Sequence, residues 1–326
     1  MKRIMFTAML AALALLGATG RDAVAQDYPT RNVTILCPFA PGGGTDVLSR
    51  ALAQQLEKRL GKTFIVENRT GAGTVIAAAA TAKAEPDGYT LMQATSGTMS
   101  MNPTIFKKLP YTPDKDLIPV ALVAGVPFVL VVKPDLPVHS IADLVKLAKE
   151  KPLTYGSGGV GAFHHLNAEL FSSMTGIKMT HVPFKGSNPS MIALVAGQID
   201  VLFVDLGPSL QLIRAGKARA LGITSDKSFP TAPEIKPLAE VGLPEWKNTV
   251  AWQMLVAPGG TPQPILDKLN KQVNEAVHSP EMKKPMDNLG MVAIGKGSAK
   301  ELTAFVKSEE ARWAPVIRNA GLAGSQ

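Results

Sequence analysis

Residues able to do chemistry are few in this chain, and three kinds stand out. The first is a pair of glycine-rich turns, Pro38-Phe39-Ala40-Pro41-Gly42-Gly43-Gly44-Thr45-Asp46 and Gly156-Ser157-Gly158-Gly159-Val160-Gly161. The second is His164-His165, with Glu169 four residues beyond His165. The third is the acid pair Asp200 and Asp205. Successive glycines expose backbone N–H groups, and a helix start adds partial positive charge, so each turn can form an anion-binding nest. A plain strand-to-helix loop is the competing reading of each. Adjacent histidines point about 100° apart on a helix, no third ligand has suitable spacing, and neither H-E-x-x-H nor C-x-x-C occurs. No metal site is expected. The two aspartates have no histidine or second acid at a spacing that fixes a catalytic role, and no G-x-S-x-G elbow, Walker loop or protein-kinase set is present.

Each candidate needs an element to hold it. Val33 to Cys37 reads as a strand, and Val47, Leu48, Ala51, Leu52, Leu56 and Leu60 fall on one face of a helix that Gly61 ends, with Thr45 as its expected N-cap. Thr63 to Asn68, an alanine-rich helix over 75–84 and Tyr89 to Ala94 repeat the strand-turn-helix step, which implies a parallel sheet covered by helices. Ser96, Gly97 and Thr98 then form a small polar loop at a strand's carboxyl end, where open α/β sheets bind ligands. Local hydrogen bonding is the alternative role for their side chains.

Ile118 to Val126 and Phe128 to Val132 are apolar and nearly continuous, and read as a strand leaving one domain for another near Gly125-Val126-Pro127. Gly156 to Gly161 matches G-x-G-x-x-G between a strand and a helix. The acidic residue that a dinucleotide site carries about 20 positions on is missing; His181 and Lys185 stand there instead, so no cofactor is expected. Asp205 ends a further strand as a candidate for the pocket rim. Thr249 to Val256 reads as a strand returning to the first domain, and Ala257 to Pro262 echoes the opening turn. The layout is α/β: two domains joined by two crossovers, domain I from residues 26–125 and 250–326 and domain II from 126–249. Glycine loops from both would face a shared cleft that closes by hinge motion.

Composition bounds the class. Lys2 and Arg3 before the apolar run from Ile4 to Ala18, then Ala23-Val24-Ala25, are expected to be a cleavable signal peptide spanning 1–25. That places residues 26–326 outside the cytoplasm. The formal charge is +8, of which Lys2, Arg3 and Arg21 against Asp22 leave +6 beyond residue 25. Basic residues are scattered and aromatics few, which argues against nucleic acid and suits small anions. Cys37 is the only cysteine, so it has no disulfide partner and is expected to be a small buried hydrophobe.

A wider set of stretches resembles one family. Pro38 to Asp46, Val66-Glu67-Asn68-Arg69 with Gly71-Ala72-Gly73, Pro86-Asp87-Gly88-Tyr89-Thr90-Leu91 and Leu109-Pro110-Tyr111 come in order. Tyr155 to Gly158, His165-Leu166, His181 to Gly186, Ala215-Gly216-Lys217 with Arg219-Ala220-Leu221, and Ala257 to Pro262 follow. Together they are similar to the extracytoplasmic solute receptors of tripartite tricarboxylate transporters, the Bug receptors. The resemblance implies a type II periplasmic-binding-protein fold and a non-enzymatic periplasmic protein. It would be monomeric, capture a small carboxylate and serve membrane permease subunits or a sensor protein. An exported α/β enzyme using the same cleft is the rival. The residues expected at the ligand are Phe39, Ala40, Gly42, Gly43, Thr45 and Asp46 on one side, with Ser96, Gly97 and Thr98. Facing them are Ser157, Gly158, Val160, Gly161, Ala162, Phe163, His164, Lys185 and Asp205. The family pattern Gly-Thr-x-x-His-Leu is replaced by Gly161-Ala162-Phe163-His164-His165-Leu166. A hydroxyl is lost and an aromatic gained, so an aromatic or less polar carboxylate stands beside a short aliphatic dicarboxylate as the expected ligand.

Overall fold

The computed structural model describes residues 28–326; the segment read as a signal peptide lies outside them. The chain first lays down β1 (Val33–Cys37), α1 (Gly44–Leu60), β2 (Phe64–Asn68), α2 (Val75–Ala82) and β3 (Thr90–Thr95). β1 pairs in parallel with both β2 and β3. β4 (Leu117–Val126) and β10 (Ala251–Pro258) extend that sheet with antiparallel pairs, giving the order β11-β4-β10-β3-β1-β2 with β11 at Val292–Ala293. Apolar β4, buried along nearly its whole length, is a central strand for the reason its sequence shows.

At Pro127 the chain leaves this sheet and starts β5 (Phe128–Val132) in a second one, of order β7-β6-β8-β5-β9. That sheet holds β6 (Leu153–Ser157), β7 (Met179–Pro183), β8 (Val201–Asp205) and β9 (Arg219–Ile223). Its covering helices are α3 (Ile141–Glu150), α4 (Phe163–Thr175), α5 (Ser187–Val195) and α6 (Leu206–Arg214). Two lobes of α/β architecture, joined by the crossovers 126–128 and 224–250, make a type II periplasmic-binding-protein fold. Thr224 ties the crossovers together: its hydroxyl accepts from Phe128 N–H (3.0 Å), and its carbonyl accepts from Thr249 N–H (3.1 Å) and the Trp246 indole (3.2 Å).

The C-terminal helices are α7 (Gln263–Val277), α8 (Pro280–Leu289) and α9 (Ala299–Asn319). Ser298 opens α9 with a capping box: its hydroxyl accepts from Glu301 N–H, and Glu301 accepts from Ser298 N–H. α9 spans both cores. Leu302 and Val306 pack with the first-sheet residues Trp252 and Met254, whereas Trp313 and Ile317 pack with the second-lobe residues Phe163 and Phe203. Between those halves the buried Glu309 accepts from the Trp252 indole (3.1 Å) and the Trp313 indole (3.4 Å) and pairs with Arg312 (3.1 Å).

Two local expectations are corrected. Gly43, with φ −71° and ψ 162°, is the N-cap of α1, and Thr45 lies inside its first turn. Three glycines let the chain enter the helix a residue or two earlier than a hydroxyl cap would mark. Residues 97–101 form a π-helical turn instead of an open loop, held by Tyr111 Oη donating to the Thr98 carbonyl and by Thr74 Oγ1 against Thr98 Oγ1.

Candidate functional site

The loop that follows β6 meets the segment that follows β3, and the loop that follows β8 meets the end of α8, against which the β1 loop lies. Three contacts align them. A methyl group at Gly161 would stand 3.2 Å from Ile105 Cδ1. The Phe163 ring meets Trp313 of α9 edge-on at 5.0 Å. Gly207, at the start of α6, packs its backbone on Leu289 and Gly290 at the end of α8, where Leu289 and Met291 in turn lie against Gly44. The starts of α1, α4, α5 and α6 are thereby gathered at the junction of the lobes.

Both glycine turns present unspent donors. In the first lobe the intrahelical ladder begins with Val47 N–H donating to Gly43, which leaves the N–H groups of Gly44, Thr45 and Asp46 without a helical acceptor. Phe39, Ala40, Gly42 and Gly43 are exposed beside them. The Asp46 side chain braces this loop: it is buried, accepts from Gly42 N–H (2.9 Å) and Asn68 Nδ2 (2.7 Å), and pairs with Arg50 (2.9 Å). Burial pushes its carboxyl up, but the bonds from Arg50, Gly42 and Asn68 reverse that and bring it down to about 2. In the second lobe the ladder begins with Leu166 N–H donating to Ala162, which leaves Phe163, His164 and His165 N–H at the start of α4.

Several expected side chains serve the frame instead. Thr98 is fully buried and its hydroxyl bonds Thr74, Thr95 and Thr95 N–H; buried Ser96 contributes a carbonyl to Ser100. The Ser157 hydroxyl is held by His181 Nε2 (2.7 Å), Gly159 N–H and the Gly159 carbonyl. Phe163 stacks on Phe128 at 5.6 Å under Trp313, so the aromatic gained at this position is a core ring. Gly97, Gly158, Gly161 and Ala162 are half-buried, whereas Val160 and Lys185 are exposed. His164 Nε2 reaches Ser187 Oγ (2.8 Å) and Asp205 Oδ2 (3.1 Å), and Ser187 also bonds Asp205. Side chains from two other loops thus converge on the Asp205 carboxylate. Sequence spacing does not show this, because the partners lie 18 and 41 residues apart.

A second cluster lies behind the α4 turn. His165 and His181 stack at 3.9 Å, Gly161 N–H donates to His165 Nδ1 (3.1 Å), and Tyr155 Oη donates to Glu169. Burial lowers both histidines to about 4, the neighbouring His165 adding to the effect at His181. Their neutral forms are the folded ones, so this contribution is present above the unfolded value near 6.5 and is lost as pH falls from there toward 4. We expect stability to drop by on the order of 3 kcal/mol for each histidine across that window, read by guanidinium denaturation at pH 7 and pH 4.5. His181→Gln should flatten the dependence; an unchanged slope would contradict the assignment. Among the described residues no group of three or more His, Cys, Asp or Glu could hold a metal ion. No helix there is long and apolar enough to cross a membrane. Cys37 is buried, as expected.

A hinged pair of α/β lobes with helix starts converging at the junction defines a solute-binding protein. Residues 48–322 match the model of the tripartite tricarboxylate transporter family receptor, and the chain belongs to that family. It is 35% identical to protein BugT of Bordetella pertussis over 321 residues, 97% of this chain and 98% of BugT. The solved structure of Rhodopseudomonas palustris Rpa4515 with adipate superposes with a TM-score of 0.79 at 37% identity, covering 91% of this chain and 99% of that one. MatC from the same organism, with bound malate, gives 0.75 at 33% identity, covering 89% and 100%.

Proposed function

We propose that this protein is a periplasmic receptor that captures a small organic carboxylate between its lobes and hands it to the membrane permease subunits of a tripartite transporter. Its lobes are residues 26–125 with 250–326, and 126–249. One observation carries the reading: in a member of this receptor family, the starts of α1 and α4 bring six unspent N–H groups to the junction. A carboxylate held by such donors needs no arginine, since charge-assisted bonds contribute about 1.5–3 kcal/mol each and helix-end fields up to about 1–2. The adipate and malate bound by Rpa4515 and MatC support the ligand class. Ser187, His164 and Asp205 lie together at the junction, but one ring atom, His164 Nε2, serves both partners while Nδ1 has none. They therefore do not form a nucleophile–base–acid relay, and binding and release is the expected chemistry.

The test is the thermal midpoint of refolded protein against mono- and dicarboxylates and NAD. A ligand at 100 times its Kd adds about 2.7 kcal/mol, an easily read upward shift. A shift with carboxylates alone is expected; a shift with NAD alone would overturn the reading.

A further inference from the structure

Asp205 stands apart from the other aspartates that brace the strand ends. Asp46 is paired with Arg50, and Asp200 with Lys133 at 3.1 Å. The ion partner of Asp205 among the described residues is an imidazole, His164. A carboxylate only accepts hydrogen bonds, so the Nε2 atom 3.1 Å from it carries a ring proton. The opposite ring atom, Nδ1, is buried without a partner. No arginine or lysine among the described residues lies within ion-pair distance of Asp205. Its side chain nevertheless keeps 24% of its surface exposed. It stands two residues before Gly207, which meets Leu289 and Gly290 of the opposite lobe.

We propose that Asp205 sets the ligand class: it disfavours a second carboxylate at its end of the cleft and selects a carboxylate whose far end carries an ammonium group. The inference rests on the carboxylate-receptor reading and adds an orientation to it. The ligand's carboxylate lies against the N–H groups of α1 and α4, and its ammonium faces the accessible edge of Asp205. Burial raises the Asp205 carboxyl, but the electrostatic attraction of His164, its hydrogen bond and the Ser187 hydroxyl more than offset this and hold it below the ordinary carboxylate range. It is therefore an anion at neutral pH. His164 and Ser187 fix its position from two other loops, so it does not swing away from a like charge. The exposed Lys185 makes no ion pair with it.

The experiment is calorimetric titration with matched pairs. Succinate, glutarate and adipate are each compared with the amino acid in which an ammonium replaces one carboxylate: 3-aminopropanoate, 4-aminobutanoate and 5-aminopentanoate. The wild type should bind the amino member of its preferred pair at least tenfold more tightly. Asp205→Asn should bring that ratio to about unity or reverse it. A dicarboxylate preference in the wild type overturns the inference and leaves the receptor reading standing, and the wild-type ratio needs no variant to fold. An Asp205→Asn protein that folds and keeps the wild-type ratio overturns it as well. Absence of binding in both series overturns the inference, and the receptor reading is then decided by the wider thermal-midpoint panel.

Discussion

Replacing Glu309 by alanine is expected to lower unfolding free energy by about 2–4 kcal/mol and to weaken ligand binding with it. One carboxylate accepts from two indoles that belong to different cores, Trp252 and Trp313, both at most 1% exposed. Removing it strands two buried N–H donors, each costing about 1–3 kcal/mol. Arg312 loses its partner too, but at 29% side-chain exposure it can turn to water. Trp313 also supports Phe163, whose N–H opens α4, so the damage reaches the ligand turn. Glu309→Gln keeps one acceptor oxygen and should lose less than half as much. Guanidinium unfolding followed by tryptophan fluorescence reads both variants. An alanine variant within about 0.5 kcal/mol of wild type, the range of ordinary surface changes, would show that Glu309 does not join the lobes.

The second large effect is at Gly290. It ends α8 with φ 65°, and a Cβ there would lie 2.5 Å from Gly207 N and 2.6 Å from Gly207 Cα. Backbone atoms cannot turn aside as a side chain can, so Gly290→Ala must push α6 and α8 apart. The left-handed conformation itself costs about 1–2 kcal/mol for a residue with a Cβ. Gly61 supplies the control: it ends α1 with φ 73° and has open space around its Cα. Gly61→Ala should lose about 1 kcal/mol of stability with unchanged affinity. Gly290→Ala should in addition lose at least tenfold in carboxylate affinity, about 1.4 kcal/mol. Equal affinity in the two variants would mean that the contact between Gly207 and Gly290 plays no part in the bound state.

Much of this architecture is written in local pattern. Val33 to Cys37, the three glycines and the apolar face from Leu48 to Leu60 specify strand, turn and helix with no help from the rest of the chain. The crossover at Pro127 is equally plain, because β4 and β5 form one apolar run broken by a residue without an N–H. What local pattern does not carry is partnership across long separations. The Glu309 hub joins residues 57 apart, and the His165–His181 stack depends on two parallel strands lying side by side. The π turn at 97–101 exists because Tyr111 and Thr74 hold it, and a run of small polar residues reads as loop without them. Side-chain roles at the junction were hidden for the same reason. Thr98, Ser157 and Phe163 have the right chemistry for a ligand, and the fold directs it inward.

The central claim is that backbone donors at two helix starts, not basic side chains, hold the ligand's carboxylate. The most direct measurement is a crystal structure with the carboxylate that raises the thermal midpoint most. The expected result is carboxylate oxygens within about 3 Å of N–H groups at Gly44 to Asp46 and Phe163 to His165, directly or through one water, with no arginine or lysine in contact. A cavity of about 450 Å³ on the second lobe, lined in part by Arg219, Glu234 and Lys236, offers the alternative. Ligand density there, held by those side chains and leaving the junction empty, would contradict the account.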